Sequence, residues 1–123
     1  MTFQDLVNNF KTIFMQKYFC FEGRSGRREF WMWVLALLLI DIVYNVIILK
    51  LFPGLGLYLG RIFELVILCP SLGVTARRLH DTGKTGLLQL IGLVFPIGVI
   101  IILILCAFEG DKGSNAYGAP VGN

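Results

Sequence analysis

Charged residues are scarce in this sequence. Asp, Glu, Lys and Arg make up 15% of its 123 residues, against about 25% in a typical soluble domain. Hydrophobic residues make up 56%. Because a chain of this length cannot hide so much apolar surface inside a water-soluble monomer, we expect it to be embedded in lipid. The net charge of +3 forms no separate basic stripe, so the sequence predicts no nucleic-acid partner.

Motifs for metal, cofactor or nucleophilic chemistry are also missing. The three cysteines are far apart and have no CxxC or metal-ligand spacing, so we interpret them as free thiols. Residues 83–85 read Gly-Lys-Thr but lack the earlier glycine of a phosphate loop. His80 and Asp81 are neighbours in sequence, and such neighbours do not face each other on a helix. We therefore predict no enzyme activity, no cofactor and no metal site.

Residues 2–19 mix apolar and polar side chains at helical spacing. Apolar residues recur at intervals of three and four, from Phe3 to Tyr18. The segment lacks the continuous apolar run of a cleavable signal peptide. We predict an amphipathic helix that lies in the membrane interface. The alternative is an ordinary helix that packs on the membrane spans.

Three long apolar runs follow this segment. A helix of about 20 residues is roughly 30 Å long, which matches the hydrocarbon core of a bilayer. Barrel strands are about half that length and alternate apolar with polar residues, which these runs do not. The sequence therefore predicts an all-α membrane protein with an N-terminal amphipathic interfacial helix and three transmembrane helices. The predicted spans are residues 30–51, 57–76 and 87–108, followed by a tail at 109–123, in a single domain of residues 1–123.

The third run has a second interpretation. It contains Phe95-Pro96-Ile97-Gly98 near its middle, and a proline inside a helix removes a hydrogen bond and kinks the backbone. We predict a kinked third span. The alternative is a re-entrant hairpin, which would return the tail to the side of the membrane from which the run begins.

Basic residues are distributed unevenly around the predicted spans. Eight lie before the first span or between the second and third, and three lie elsewhere. Lys and Arg are enriched in the cytoplasmic loops of membrane proteins. We therefore predict a multi-pass protein of the bacterial inner membrane with a cytoplasmic N-terminus. The first group is Lys11, Lys17, Arg24, Arg27, Arg28, Arg77, Arg78 and Lys84, and the second is Lys50, Arg61 and Lys112.

Three stretches of the chain resemble one known family. Residues 21–31 read FEGRSGRREFW and residues 77–86 read RRLHDTGKTG. These stretches are similar to two signatures of the bacterial domain-of-unknown-function 805 family of small inner-membrane proteins, with Thr85 where Ser is common. The resemblance covers nearly the whole chain from Phe19 onward and implies a multi-pass inner-membrane protein, but no activity, because the family's function is unassigned. The third stretch is formed by Gly110, Gly113, Asn115, Tyr117, Gly118 and Pro120.

A basic cluster at one end of the first two spans is the first candidate site. In an antiparallel hairpin, the residues before span one and after span two meet at the same membrane face. The planar fork of Arg binds phosphate oxygens in pairs, so we predict a site for an anionic lipid headgroup or a partner. The alternative is that these residues set topology and form internal ion pairs with Glu29 and Asp81. The cluster consists of Arg24, Arg27, Arg28, Arg77, Arg78, His80 and Lys84.

Polar residues inside the first two spans form the second candidate site. Asp41 and Glu64 lie at similar depth near the bilayer centre if the spans are antiparallel helices. A charge at that depth costs a few kcal/mol or more, so each carboxylate must be protonated, paired or hydrated. With Asn45 and Arg61, they favour an alternative function as an oligomeric small transporter or channel subunit. A structural ion pair, or a seam that holds a homo-oligomer together, explains the same residues.

Overall fold

The computed structural model of the chain describes residues 2–121. Within this range the chain forms helices and no strand, which confirms the predicted all-α class. The N-terminal helix is Phe3–Lys11, continued by a π-helical turn at Thr12–Gln16. The first long helix is Arg27–Leu51 and the second is Pro53–Asp81. A 3₁₀ helix at Gly86–Leu93 and a last helix at Ile97–Ala107 complete the fold.

The N-terminal helix begins at a capping box. The side chain of Thr2 accepts a hydrogen bond from the backbone N–H of Asp5, and the Asp5 carboxylate accepts one from the Thr2 N–H, both at 3.1 Å. These bonds satisfy two of the donors that a helix start leaves unpaired. The helix ends earlier than the predicted Phe19, because Lys17 leaves the helical conformation.

The apolar side of the N-terminal helix packs on the first long helix. Leu6 is buried against Met32 and Ala36, and the ring of Phe10 stacks on Trp33 with 4.9 Å between ring centroids. Aromatic pairs at this separation add to the stabilisation that comes from burying their surface. The contacts agree with the alternative of a packed helix, and the predicted interfacial placement is not confirmed.

Two helices in residues 2–121 are long and apolar enough to cross a membrane. They contain 25 and 29 residues, which corresponds to about 38 Å and about 44 Å. Only 17% of the residues in the most apolar stretch of each helix are buried. Their apolar side chains therefore face outwards, as lipid-facing side chains of a membrane span do.

The two long helices form an antiparallel hairpin that turns between Leu51 and Pro53. Small residues let their backbones approach closely. A Cβ atom added at Gly60 would lie 3.4 Å from the ring of Tyr44, and one added at Gly56 would lie 3.3 Å from the backbone of the first long helix. The hydroxyl of Tyr44 donates a hydrogen bond to the carbonyl of Gly56.

The third apolar run is not a single helix. The 3₁₀ helix ends at Leu93, the chain turns at Val94–Pro96, and the last helix starts at Ile97 and packs back against the 3₁₀ helix. A Cβ atom at Gly98 would lie 1.7 Å from the carbonyl oxygen of Ile91, so the close crossing of the two arms requires glycine. Each arm is about 16 Å long, roughly half the hydrocarbon core. The chain reversal agrees with the alternative of a re-entrant hairpin, and the predicted kinked span at 87–108 and the count of three spans are not confirmed.

The hydrophobic core lies at the end of the hairpin where four helices meet. Ile13, Trp33, Val74, Leu79 and Cys106 are buried there, one or two from each helix. The Trp33 indole N–H donates a 3.0 Å hydrogen bond to the hydroxyl of a serine on the second long helix. Val74 and Leu79 of this core lie on either side of Arg77 and Arg78 in the sequence of the second long helix. The core therefore holds in place the part of the helix that carries the two arginines.

Candidate functional site

Arg24 is buried and uses every hydrogen-bond donor of its guanidinium. Its Nε donates to the Asp81 carboxylate at 2.8 Å. The two terminal nitrogens donate to backbone carbonyls of Asp81, Asp111, Gly113 and Gly118. Since an arginine has five N–H donors, this side chain has none left for a ligand.

Arg78 is buried completely on the other side of the same carboxylate. Its guanidinium pairs with Asp81 and donates to the carbonyl of Ser25 at 3.0 Å. It also donates to the carbonyls of Cys106, at 2.9 Å, and Phe108. Those two carbonyls belong to the C-terminal end of the last helix, where the helix dipole favours a cation.

Asp81 joins the two arginines to the tail. Its backbone carbonyl accepts a 2.7 Å hydrogen bond from the N–H of Asp111. The tail passes so close that a Cβ atom at Gly110 would lie 1.9 Å from a carboxylate oxygen of Asp81. We call Arg24, Arg78, Asp81 and residues 110–118 the Asp81 cluster.

A second ion pair lies beside the Asp81 cluster. Arg77 is 2% exposed, and its terminal nitrogen lies 2.7 Å from the Glu29 carboxylate. Lys17 approaches the same carboxylate at 3.4 Å. The Nε of Arg77 donates to the carbonyl of Cys20 at 3.2 Å. These contacts attach the segment before the first long helix to the end of the second.

His80 also holds the tail in place. Its Nδ1 lies 2.9 Å from the carbonyl of Gly23 and, because a carbonyl only accepts, carries the proton of that bond. Its ring stacks on Tyr117 with 3.9 Å between centroids, and its backbone carbonyl accepts from Asn115 at 2.9 Å. Across residues 2–121 no three His, Cys, Asp or Glu side chains come together as a metal site requires.

The remaining predicted members of the basic cluster are dispersed. Arg28 is exposed and lies 3.3 Å from the carboxylate of Asp5. Lys84 lies near the carbonyl of Thr82 and above the Phe108 ring, and Arg27 is half-buried at the start of the first long helix. The seven basic residues share one end of the molecule, but they do not line one common pocket.

The tail residues of the Asp81 cluster did not enter the predicted site. Their contribution is made by backbone carbonyls and by glycines that permit close approach, which residue types do not reveal. The third signature stretch was the one signal in the sequence that marked them.

A cleft opens between the two long helices in the half of the hairpin that adjoins their turn. It encloses about 290 Å³. Arg61 lies 2.9 Å from the Glu64 carboxylate on the same helix, and the side-chain amide of Asn45 donates to the backbone carbonyl of Asp41 at 2.7 Å. The structure thus brings together all four predicted intramembrane residues in what we call the Asp41 cleft. It is lined by Leu37, Ile40, Asp41, Tyr44, Asn45, Leu49, Gly56, Leu57, Gly60, Arg61, Phe63, Glu64 and Ile67.

The charges of the Asp41 cleft do not balance. Among residues 2–121 the Asp41 carboxylate makes no ion pair, whereas Arg61 pairs with Glu64. One guanidinium therefore faces two carboxylates, an excess of one negative charge if both are ionised. The side chains of Arg61 and Glu64 are 70% and 61% exposed, so the cleft is open on its outer side.

Comparison with known proteins identifies the family. The model of a family described as proteins of unknown function, DUF805, matches residues 18–119. The chain belongs to the DUF805 family. It is 39% identical over 105 residues to the inner membrane protein YhaI of Escherichia coli K12, covering 85% of this chain and 87% of YhaI. It is 31% identical over 111 residues to the inner membrane protein YhaH of the same strain, covering 85% and 88%.

A third relative of the chain is named as an uncharacterized protein. The uncharacterized protein YiiR of Escherichia coli K12 is 31% identical over 133 residues, covering 84% of this chain and 86% of YiiR. No solved structure matches the chain.

The three stretches that carry the DUF805 resemblance meet in space. Residues 21–31 supply Arg24 and Glu29, residues 77–86 supply Arg78 and Asp81, and the tail supplies the carbonyls that accept from Arg24. In this chain the three stretches thus meet at the Asp81 cluster and the adjoining Arg77–Glu29 pair. The Asp41 cleft lies outside all three.

Proposed function

We propose that the chain is an inner-membrane protein that crosses the membrane twice, with its N-terminal segment and its tail in the cytoplasm. The names of YhaI and YhaH support the location. The two long helices supply two spans, and the third apolar run turns back on itself, so the tail lies beside Asp81. Nine of the basic residues then lie on the same side of the membrane as Asp81. They are Lys112 and the eight that lie before the first predicted span or between the second and third. This distribution agrees with the enrichment of Lys and Arg on the cytoplasmic side.

A reporter fused after Asn123 tests this orientation. Green fluorescent protein at that position should fluoresce, and alkaline phosphatase should be inactive, because only a cytoplasmic tail gives that pair of results. The same reporters inserted after Gly54, in the turn between the long helices, should give the opposite pair. An active phosphatase at Asn123 would contradict the proposed topology.

For the biochemical role, we propose a non-enzymatic subunit of a homo-oligomer that binds or conducts a proton or small cation through the Asp41 cleft. The supporting observation is the excess negative charge between two apolar helices. An ionised carboxylate without a partner is costly at bilayer depth. Binding of a proton or another cation removes that cost. A site that binds either a proton or the other cation would couple the transport of one to the transport of the other.

We propose a homo-oligomer because the chain has few helices that could span the membrane. Two helices cannot enclose a pathway, and the Arg61–Glu64 pair is open on its outer side. A second copy of the chain would cover this surface and complete the walls of the cleft. Native mass spectrometry of the purified protein in mild detergent tests this part, and a strictly monomeric protein would contradict it.

Proton flux into liposomes tests the role of the cleft. The wild-type protein should acidify the lumen under a membrane potential, and Asp41→Asn and Glu64→Gln should reduce the rate at least tenfold. Glu109→Gln is the matched control, because this exposed carboxylate lies in the tail outside the cleft. Flux that persists unchanged in both cleft variants would refute the proposal.

Binding of an anionic lipid headgroup remains a second proposal, now restricted to the surface. The side chains of Arg28 and Lys17 are 57% and 38% exposed. They line a polar cleft of about 450 Å³ at the start of the first long helix. The N-cap residue of this helix is Gly26, which has no side chain to accept a hydrogen bond from the first turn. Phosphate oxygens suit basic side chains near the start of a helix, where the helix dipole also favours an anion.

Lipid that co-purifies with the protein tests this second proposal. Native mass spectrometry should detect bound phosphatidylglycerol in the wild type and less of it in Arg28→Gln. Lys50→Gln is the matched control, because Lys50 lies at the opposite end of the same helix. Equal retention in both variants would contradict a site at Arg28.

A further inference from the structure

We infer that the Asp41 cleft takes an amphipathic organic monocation, an ammonium group carried on an aryl or alkyl body. The inference rests on the proposed function and names the class of ligand. Its first basis is charge. One guanidinium and two ionised carboxylates have a net charge of one negative unit, which a single positive charge neutralises. A neutral ligand would leave the excess carboxylate uncompensated, and a dication would leave a net positive charge.

The walls of the cleft indicate the apolar part of the ligand. Leu37, Ile40, Leu57, Phe63 and Ile67 line it together with the four polar residues. Ligand sites in proteins are mostly apolar, with a few polar groups that fix orientation. An organic ligand that fills about 290 Å³ would contact these walls, whereas a bare metal ion would not.

Two further observations favour an organic cation over an inorganic one. Hard metal cations take six or more oxygen ligands, and residues 2–121 contain no cluster of three or more acidic or metal-ligating side chains. The ring of Tyr44 is part of the wall, and an ammonium group is attracted to the face of an aromatic ring.

The bound cation and a proton compete for the same charge. Protonation of a carboxylate removes the negative charge that the ammonium group requires, so the affinity should be lower at acidic pH. The titratable or charged groups that face the cleft are Asp41 and Tyr44 on the first long helix and Arg61 and Glu64 on the second. Within residues 2–121 no other element contributes to its lining.

Calorimetric titration of the full-length protein in detergent with phenyltrimethylammonium tests the inference. The uncharged molecule tert-butylbenzene has the same shape and controls for partition into the micelle. The wild type should bind the cation with saturation and show no saturable binding of the neutral compound. Lowering the pH should weaken binding of the cation and leave partition of the neutral compound unchanged.

Two variants should change the affinity in opposite directions. Asp41→Asn removes the excess charge and should weaken binding about tenfold, which corresponds to about 1.4 kcal/mol. Arg61→Gln doubles the excess and should strengthen binding by a similar factor. A general loss of structure cannot give opposite signs, and Glu64→Gln provides a second charge-removing variant if Asp41→Asn does not fold.

Three results would overturn the inference: no saturable binding of the cation, equal binding of the neutral compound, or the same direction of change in both variants. These outcomes are distinct from failure of the proposed function. Proton flux without cation binding would reject the organic ligand and leave the proton site. Saturable, charge-dependent binding without flux would support the ligand and reject conduction.

Discussion

The Asp81 cluster and the Asp41 cleft use the same kinds of side chain in opposite ways. At the Asp81 cluster a carboxylate lies between two buried guanidinium groups, and every donor of Arg24 is used. In the Asp41 cleft a carboxylate lacks an ion-pair partner within residues 2–121, and the neighbouring pair is largely exposed. Charges that are buried and saturated fix the architecture, whereas charges left open and unbalanced are available for a ligand.

The same substitution at the two aspartates should separate these roles. Asp81→Asn leaves two buried guanidinium groups without their counter-charge, and losing one partner of a buried pair costs about 3–5 kcal/mol. We expect a large drop in cellular abundance and in the thermal unfolding temperature measured in detergent. Glu109→Gln, on the exposed part of the tail, is the control, and wild-type stability of Asp81→Asn would contradict the structural role.

The close approach of the tail can be broken without changing any charge. Gly110→Ala places a methyl group against the Asp81 carboxylate, and overpacking of this kind typically costs about 1–3 kcal/mol. Gly113→Ala is the matched control, because a Cβ atom there meets nothing within 4 Å. Limited proteolysis of the tail should be faster in Gly110→Ala than in Gly113→Ala, and equal rates would show that the tail is not held at Asp81.

Asp41→Asn should leave the fold intact. It removes a carboxylate that has no ion-pair partner among the described residues, and an unpaired charge at bilayer depth is costly, so we expect the variant to be at least as stable as the wild type. Thermal unfolding in detergent, measured together with Asp81→Asn, checks this. A loss as large as that of Asp81→Asn would assign the Asp41 cleft to the architecture as well.

The smallest expected effect concerns Asp5 at the capping box. The hydrogen bond from the backbone N–H of Thr2 is the main cause that lowers the pKa of Asp5. A carboxyl group with a lowered folded-state pKa stabilises the fold at pH values above its ordinary pKa, and this contribution is lost as the pH falls through the lowered value. Hydrogen exchange of the first turn, corrected for intrinsic rates, should therefore show less protection at low pH. Asp5→Asn should remove this pH dependence, and a persisting dependence would contradict it.

The helical class and the two long apolar helices could be predicted from the sequence because they depend on the composition and length of apolar runs. The third run could not be assigned by length, because a largely apolar run of 22 residues fits both a kinked span and a hairpin. What decides between them is local: the turn before Ile97 and the contact of Gly98 with the Ile91 carbonyl. Such a contact between two backbones leaves no signal in hydropathy.

The two candidate sites were predicted with unequal success, again because contacts made by the backbone leave no signal in the sequence. The four residues of the Asp41 cleft could be grouped from the sequence, since helix length and antiparallel geometry fix their depth. The basic cluster was grouped at the correct end of the molecule, but its arginines are satisfied by carbonyls such as those of Gly113 and Phe108. Main-chain acceptors are present at every residue, so a sequence does not show which of them an arginine will use.

The donors of Arg24 have a consequence for biosynthesis. Its partners Gly113 and Gly118 are 89 and 94 residues further along the chain. During synthesis, Arg24 leaves the ribosome long before those carbonyls exist, although both long helices have by then been translated. Its guanidinium needs water or other temporary partners throughout that interval, so residues translated late complete a structure that an early residue requires.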